Sequence, residues 1–172
     1  RFLGRGIKPN LSHFQDLPIV NYSLLDEPIR SFVEQFENAD TYGSLITVQA
    51  DDKIDKELEE FQGTLDLTFG HMEHLVQLYK ILSHQYDVVC TNPPYLGSAR
   101  FNPLLAEFTK KYYDDEKADL SMVMFRHSVD HLVTTNGFVA FITTSSWFFL
   151  SSFENLRNAI LSSYQIESIV DY

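Results

Sequence analysis

The stretch YDVVCTNPPYLGSARFNP, residues 86–103, joins an apolar run to an abrupt polar end. The run YDVVCT is continuous, as in strands that are covered on both faces, so it predicts a buried strand with Cys90 in the core. Pro93 and Pro94 lack the N–H group that a central strand needs, so the strand must end before them. The stretch therefore places an asparagine, two prolines and a tyrosine at the carboxyl end of a strand.

Helical and strand patterns alternate after this strand. PLLAEFTKKYY and ADLSMVMFRHSVDHL have helical spacing, FVAFITT is a second apolar strand, and Ser151 with Glu154 forms a capping box for the helix FENLRNAILSSY. TTNG, residues 134–137, is a turn signal, and IESIVDY, residues 166–172, predicts a third strand. The alternation predicts an α/β fold with a mostly parallel sheet flanked by helices.

The residues before position 86 have mainly helical patterns. Asp26 and Pro28 suit the start of a helix, whose apolar stripe is Ile29, Phe32, Val33 and Phe36. SLITV, residues 44–48, predicts a short strand. Two further amphipathic helices are predicted from about residue 52 and over residues 70–84.

Composition limits the class of protein. The chain has 172 residues, of which 44% are hydrophobic, and this predicts one packed domain. The sequence contains no apolar run long enough for a transmembrane helix, its first residues do not resemble a signal peptide, and its single cysteine fits a reducing cytoplasm. The net charge of −11 is unfavourable for holding nucleic acid by phosphate neutralisation, so any DNA-binding surface should lie mainly elsewhere.

The histidines raise the question of a metal site. His71 and His74, like His127 and His131, have spacings that place each pair on one helix face. Neither pair has the glutamate that a zinc protease requires directly after the first histidine. The sequence therefore predicts no metal site and favours solvated or partly buried histidines.

Two carbonyl acceptors stand side by side at the end of the first strand, one in the Asn92 side chain and one in the main chain of Pro93. They suit a planar donor with two hydrogens, such as an exocyclic amine or a primary amide. Tyr95 offers a ring on which a flat group can stack. The motif predicts a site that orients an amino nitrogen and stabilises the positive charge that develops as it attacks an electrophile. A plain strand-to-loop turn is the alternative.

Asn-Pro-Pro-Tyr after an apolar strand resembles motif IV of the amino methyltransferases that use S-adenosylmethionine. These include DNA adenine methyltransferases and methyltransferases of protein glutamine side chains. The flanks are similar to the large adenine-specific enzymes of restriction-modification and phage defence, particularly the BREX-type enzyme. The features that carry this likeness are Gly97–Ser98, Asp119–Leu120, Thr143 to Trp147, Ser151 and FVEQFENADTYGSLITV at residues 32–48.

The resemblance implies a partial Rossmann-like methyltransferase fold, S-adenosylmethionine as cofactor and DNA as substrate. Asn92 and the Pro93 carbonyl would bind the amine of an adenine flipped out of the duplex. Tyr95 would stack on that adenine and Pro94 would keep the loop rigid. The resemblance further implies substrate-binding roles for Gly97 and Trp147, and cofactor-binding roles for Asn92 and Asp119. The alternative for Trp147 is that its ring only seals the hydrophobic core.

Two parts of such an enzyme have no counterpart in the sequence. Gly4 and Gly6 do not form the glycine-rich cofactor loop, since no strand pattern precedes them, and a target recognition domain is not identifiable. We therefore expect residues 1–172 to be a single domain that carries motif IV onward. Its partners would be DNA, the rest of its own polypeptide and other defence-system subunits, and the isolated chain would be inactive. Alternatives are a methyltransferase of protein glutamine or RNA, and a non-catalytic fragment or interaction module.

Overall fold

The computed structural model describes residues 27–34, 36, 38–61 and 72–171. The chain divides into two compact units, Arg1–Ser83 and His84–Tyr172, and each unit is described by itself. The expectation of a single domain stays a prediction. Several sequence predictions lie outside the described residues: Gly4, Gly6, the helix cap Asp26 and the histidine His71.

The described part of the N-terminal unit is helical, as its patterns predict. The predicted apolar stripe of the first helix, α1 (Glu27–Glu34), is confirmed, because Ile29, Phe32 and Val33 are all buried. The ring of Phe32 meets that of Tyr79 edge-on at 5.4 Å, and the Tyr79 hydroxyl accepts a hydrogen bond of 2.7 Å from the amide of Asp51. The helices are α1 Glu27–Glu34, α2 Ala39–Tyr42, α3 Asp52–Phe61 and α4 Met72–Leu82.

The strand predicted at residues 44–48 is wrong. A 3₁₀ turn, Gly43–Leu45, occupies its first part, and residues 46–48 are not in a strand. Ile46 and Val48 are nevertheless buried in the helical core. Their apolar side chains therefore reflect packing against helices and not pairing with another strand.

The C-terminal unit contains a parallel pair of strands joined by helices, followed by one more helix, which confirms the predicted alternation except for its third strand. Val88 lies opposite Phe138 and Thr91 opposite Phe141 in the parallel pair. The Asn102 side chain caps the following helix, α5 (Pro103–Tyr112), by accepting from the amide of Leu105 at 2.8 Å. The elements are β1 Tyr86–Thr91, α5 Pro103–Tyr112, α6 Leu120–His127, a π-helical turn Ser128–Leu132, β2 Val133–Phe141 and α7 Glu154–Ser163.

The two strands are not buried on both faces, contrary to the prediction. Cys90 is exposed, and Val88 and Phe138 retain 62% and 60% of their accessible surface. The ring of Phe125 on α6 meets that of Phe141 edge-on at 5.6 Å, so a helix covers part of one face. The opposite face, which carries Val88, Cys90 and Phe138, is exposed among the described residues.

The turn predicted at residues 134–137 lies inside β2. The pairing with β1 jumps there from Tyr86↔Val133 to Val88↔Phe138, so β2 has extra residues opposite Asp87. The turn-forming residues are thus accommodated as an irregularity within the strand and not as its boundary.

Two further predictions near the end of the chain are wrong. Residues 164–171 form no strand and are exposed, because no described neighbour supplies the hydrogen bonds that a strand requires. Ser151 does not cap α7 but begins a 3₁₀ turn, Ser151–Phe153, and Phe153 precedes the helix. Phe153 is buried with Met122 and Leu156, so core packing determines where α7 begins.

Within the described ranges, none of the helices has both the length and the apolar character that crossing a membrane requires.

Candidate active site at the carboxyl ends of the two strands

The carboxyl ends of β1 and β2 lie side by side. Thr91 and Phe141 form the last pair of the ladder, and the amide of Ile142 donates a hydrogen bond of 3.2 Å to the carbonyl of Thr91. Asn92 and Ile142 therefore leave the sheet at the same edge. This confirms that the Asn-Pro-Pro-Tyr segment and the end of the second strand share one edge, where ligands bind in parallel sheets.

Tyr95 connects the two chain segments at this edge. Its hydroxyl lies 2.5 Å from Asn92 Oδ1 and 3.3 Å from the carbonyl oxygen of Ile142. Asn92 and Tyr95 are exposed, whereas Pro93 is buried. The structure therefore brings Asn92 and Tyr95 into contact at the surface, on a segment that a buried proline anchors.

A short antiparallel contact holds the segment that follows Tyr95. The amide of Ser98 donates to the carbonyl of Ala118, and the amide of Leu120 donates to the carbonyl of Leu96, both at 2.9 Å. These bonds pair Gly97 with Asp119 in a β-bridge. The two predicted site residues are therefore neighbours.

Asp119 has a structural role at this contact. Its Oδ1 atom accepts hydrogen bonds of 2.8 Å from the amide of Ser121 and 2.6 Å from the Ser121 hydroxyl. Asp119 is therefore the N-cap of α6, where a carboxylate also interacts favourably with the helix dipole.

Trp147 lies in the 3₁₀ turn Ser145–Phe148 that follows β2. Its indole N–H donates to Thr143 Oγ1 at 3.0 Å, and its ring stacks on Phe148 with centroids 4.2 Å apart. The half-buried ring also packs against the core of the unit. The hydrogen bonds of Trp147 thus go to its own segment and to Arg157, and not to Asn92 or Tyr95.

Arg157 on α7 was not predicted from the sequence. One guanidinium nitrogen, Nη1, donates to the carbonyls of Trp147 at 2.8 Å and Leu150 at 2.7 Å. It therefore fixes the loop between β2 and α7. The targets are main-chain groups, which carry no residue-specific signal, so the sequence alone could not reveal this role.

Three buried titratable groups lie beside the turn that leads to Asp119. Tyr113 and His127 share a hydrogen bond of 2.8 Å between the Tyr113 hydroxyl and Nδ1 of His127. Burial lowers the pKa of His127 to about 4, with a further contribution from His131, and raises the pKa of Tyr113 to about 12. Burial also raises the pKa of Glu116 to about 6.

The shifts of His127 and Glu116 have opposite effects on stability. Between pH 6.5 and about 4 the unfolded chain binds more protons at His127 than the folded chain does. The free energy of unfolding therefore decreases as the pH falls through this range. Between pH 4.5 and about 6 the folded chain binds more protons at Glu116 than the unfolded chain does. The free energy of unfolding therefore decreases as the pH rises through this range. Where these two pH ranges overlap, the titrations of His127 and Glu116 therefore change the free energy of unfolding in opposite directions.

The substitution Glu116→Gln should reveal how the titration of His127 alone changes stability with pH. Between pH 6 and pH 5 the free energy of unfolding should fall by about 1 kcal/mol more in the variant than in the original chain. Urea unfolding at each pH measures this difference. Glu107→Gln, which removes an exposed carboxylate from α5, is the control and should leave the pH dependence unchanged. If the free energy of unfolding changed equally with pH in Glu116→Gln and in the original chain, the opposing effects of His127 and Glu116 would be contradicted.

The histidines do not form a recognisable metal site in the described ranges. His127 is buried and His131 exposed, with ring centroids 5.0 Å apart. No group of three His, Cys, Asp or Glu side chains suited to a metal ion occurs among the described residues. The sequence predicted solvated or partly buried histidines, whereas His127 is fully buried.

Comparisons with known proteins connect this geometry to a family. The model of the Eco57I restriction-modification methylase family matches residues 19–172. "Adenine-specific methyltransferase PglX" of Lacticaseibacillus casei (strain Zhang) is 39% identical over 132 residues, which cover 70% of this chain and 11% of that protein. "Adenine-specific methyltransferase BrxX" of Escherichia coli O9:H4 (strain HS) is 33% identical over 142 residues, which cover 74% of this chain and 11% of that protein.

The match therefore spans about a ninth of each of these two relatives. The match includes most of this chain. It confirms the resemblance that the Asn-Pro-Pro-Tyr motif and its flanking residues indicated. The chain belongs to the Eco57I restriction-modification methylase family.

Proposed function

We propose that the chain carries the amine-binding part of the catalytic domain of an adenine-specific DNA methyltransferase. The reaction would transfer a methyl group from S-adenosylmethionine to the exocyclic N6 amine of an adenine flipped out of the duplex. The observation that carries the proposal is the position of Asn92 and Tyr95, in mutual contact at the carboxyl edge of a parallel strand pair. The family and the names of the two relatives support the same chemistry.

Asn92 and Pro93 act on the amine. The side-chain carbonyl of Asn92 and the main-chain carbonyl of Pro93 each accept one N–H of the substrate. As the nitrogen attacks the methyl group it gains positive charge, which two carbonyl dipoles held in place stabilise. The attacking nitrogen loses a proton after the new bond forms, so the site needs no strong general base.

Tyr95 and its neighbours bind the base. The exposed Tyr95 ring stacks on the flipped adenine, and Pro94 limits the motion of the segment that joins Tyr95 to the amine acceptors. Gly97 and Trp147 are proposed to line the path of the substrate. The Arg157 bonds to the carbonyls of Trp147 and Leu150 support this role for Trp147, because they hold its loop in place.

S-adenosylmethionine, when bound, supplies an electrophilic methyl group. The described residues fit the amine side of the reaction, since the Asn92 side chain and the Pro93 main chain each supply a carbonyl acceptor for a donor with two hydrogens. Asn92 and Asp119 are the residues that we assign to the cofactor. The β-bridge between Asp119 and Gly97 keeps Asp119 beside the segment that follows the motif, which supports the assignment, while its Oδ1 atom caps α6.

The rest of a longer polypeptide is the first proposed partner. Val88, Phe138 and Ile142 leave an exposed apolar surface on the two-stranded sheet, and such surfaces favour contact with further protein. We infer that additional strands extend the sheet beside β1 and β2 and that additional helices cover this apolar face, which together complete a Rossmann-like methyltransferase fold. The net charge of −11 supports a DNA-binding surface located mainly in that additional part. Other defence-system subunits and a cytoplasmic location complete the proposal.

Calorimetry with S-adenosylmethionine tests the proposal. We expect the complete gene product to release or absorb heat on binding, and the isolated chain to show none, because its sequence contains no recognisable glycine-rich cofactor loop. If neither binds the cofactor, the enzyme proposal is refuted and a non-catalytic module becomes the better interpretation. Binding by the isolated chain would contradict its predicted inactivity as a fragment.

Methyl acceptors distinguish the remaining alternatives. The complete protein is incubated with tritiated S-adenosylmethionine and, separately, unmethylated DNA, total RNA or a protein extract. The proposal requires the label in DNA. Label in RNA or in protein glutamine would assign the same amine-holding geometry to a different substrate.

A further inference from the structure

We propose that the Tyr95 hydroxyl is a positioning group that transfers its hydrogen bond from Asn92 to the carbonyl of Ile142 when the substrate amine binds. The inference rests on the proposed function, because it assigns a second role to a residue of the same site. The ring and the hydroxyl of Tyr95 then have separate tasks. The ring stacks on the base, and the hydroxyl controls the amine acceptor and the position of the ring.

The first observation is that one proton faces two acceptors. A tyrosine hydroxyl has a single hydrogen, and both Asn92 Oδ1 and the Ile142 carbonyl oxygen can only accept. The distance to Asn92 is 2.5 Å and the distance to Ile142 is 3.3 Å, so the hydrogen is directed to Asn92. The longer contact marks an alternative partner that a small rotation of the hydroxyl reaches.

The second observation is the identity of the preferred acceptor. Asn92 Oδ1 is the atom that we assign to the substrate amine. A hydroxyl that donates to this oxygen withdraws electron density from it and occupies one of its lone pairs. An incoming amine therefore competes with the Tyr95 hydroxyl, and the acceptor stabilises the developing positive charge best once the hydroxyl has turned away.

The third observation is where the alternative partner lies. The Ile142 carbonyl directly follows β2, and the Ile142 amide is bonded to Thr91 at the end of β1. A hydroxyl bonded to that carbonyl ties the Tyr95 ring to the edge of the sheet. The same rotation that frees Asn92 thus fixes the ring against which the base stacks.

Tyr95→Phe separates this role from stacking. The variant keeps the ring but loses both hydrogen bonds. Removal of the competing bond should leave the half-saturating DNA concentration unchanged or lower. Removal of the anchor should slow the single-turnover rate constant about two- to tenfold, the effect of one ordinary hydrogen bond. Both constants are measured with the complete gene product, unmethylated DNA and tritiated S-adenosylmethionine.

Two comparison variants define the interpretation. Tyr95→Ala also loses the ring and should raise the half-saturating DNA concentration about 5- to 100-fold through lost stacking. Tyr164→Phe removes an exposed hydroxyl just after α7 and should leave both constants unchanged.

The outcomes are distinct. A slower rate constant without weaker DNA binding in Tyr95→Phe supports the transfer of the hydrogen bond. Weaker binding in that variant overturns it, since the hydroxyl would then contact the substrate itself. Unchanged constants overturn it as well and leave stacking as the sole role of Tyr95. If the original protein transfers no methyl group to DNA, the proposed function fails and this inference fails with it.

Discussion

Replacing Asn92 with alanine is expected to lower the single-turnover rate of methyl transfer about 100- to 1,000-fold. The substitution removes the side-chain carbonyl that we propose accepts one N–H of the amine and stabilises positive charge on the attacking nitrogen. The loss should affect the rate constant more than DNA binding, because the interaction strengthens as charge develops in the transition state. Tritium transfer from S-adenosylmethionine to unmethylated DNA by the complete gene product measures both quantities.

Two further variants make this test specific. Asn92→Asp keeps an acceptor oxygen at the same position and should retain more activity than Asn92→Ala. Asn158→Ala removes an exposed amide from α7, away from the proposed site residues, and should leave the rate unchanged. An Asn92→Ala enzyme with the original rate would refute the role of the amide.

Replacing Gly137 with alanine is expected to lower the free energy of unfolding by about 1–3 kcal/mol. A Cβ atom at this position would lie 2.5 Å from Val133 Cγ2 and 2.8 Å from the carbonyl oxygen of Asp87. The carbonyl belongs to β1 and cannot move without shifting the ladder. Gly137 is therefore required by the close approach of the two strands at the irregular start of β2. Urea unfolding of the purified chain measures the effect.

Gly97→Ala is the matched control for Gly137→Ala. An added Cβ at Gly97 would meet the carbonyl oxygen of Ala118 at 3.9 Å, which is ordinary contact, and the backbone φ of −70° suits any residue. We expect its free energy of unfolding to stay within about 0.5 kcal/mol of the original value. Equal destabilisation by the two substitutions would show that the strand contact is not what makes Gly137 necessary.

Local patterns predicted much of the C-terminal unit. The apolar run before Pro93, the second apolar run and the helical spacing between them are properties of short segments, and β1, β2 and the helices α5 and α6 confirm them. The shared strand edge also followed, because two parallel strands end on the same side. Burial was not predictable in this way. Cys90 is exposed because burial depends on how many strands and helices flank β1, which a short segment does not reveal.

The candidate site likewise combines features that short sequence segments predict with features that arise only in the folded chain. Asn92 and Tyr95 were identified from their own side-chain chemistry, and their contact follows from a short, proline-restricted segment. The contributions of Arg157 and of the Ile142 carbonyl depend on distant backbone groups that meet only in the folded chain. Phe153 similarly determines the start of α7 through core packing, which outweighs the local capping signal of Ser151.

Mass spectrometry of nucleosides tests the central claim most directly. DNA is taken from cells that lack other adenine methyltransferases and express the complete gene product, either unaltered or with the Asn92→Ala substitution. We predict N6-methyladenine in DNA from cells with the original protein and its near absence in DNA from cells with the variant at equal protein level. No N6-methyladenine with the original protein, or the same amount with both proteins, would contradict adenine methylation through Asn92.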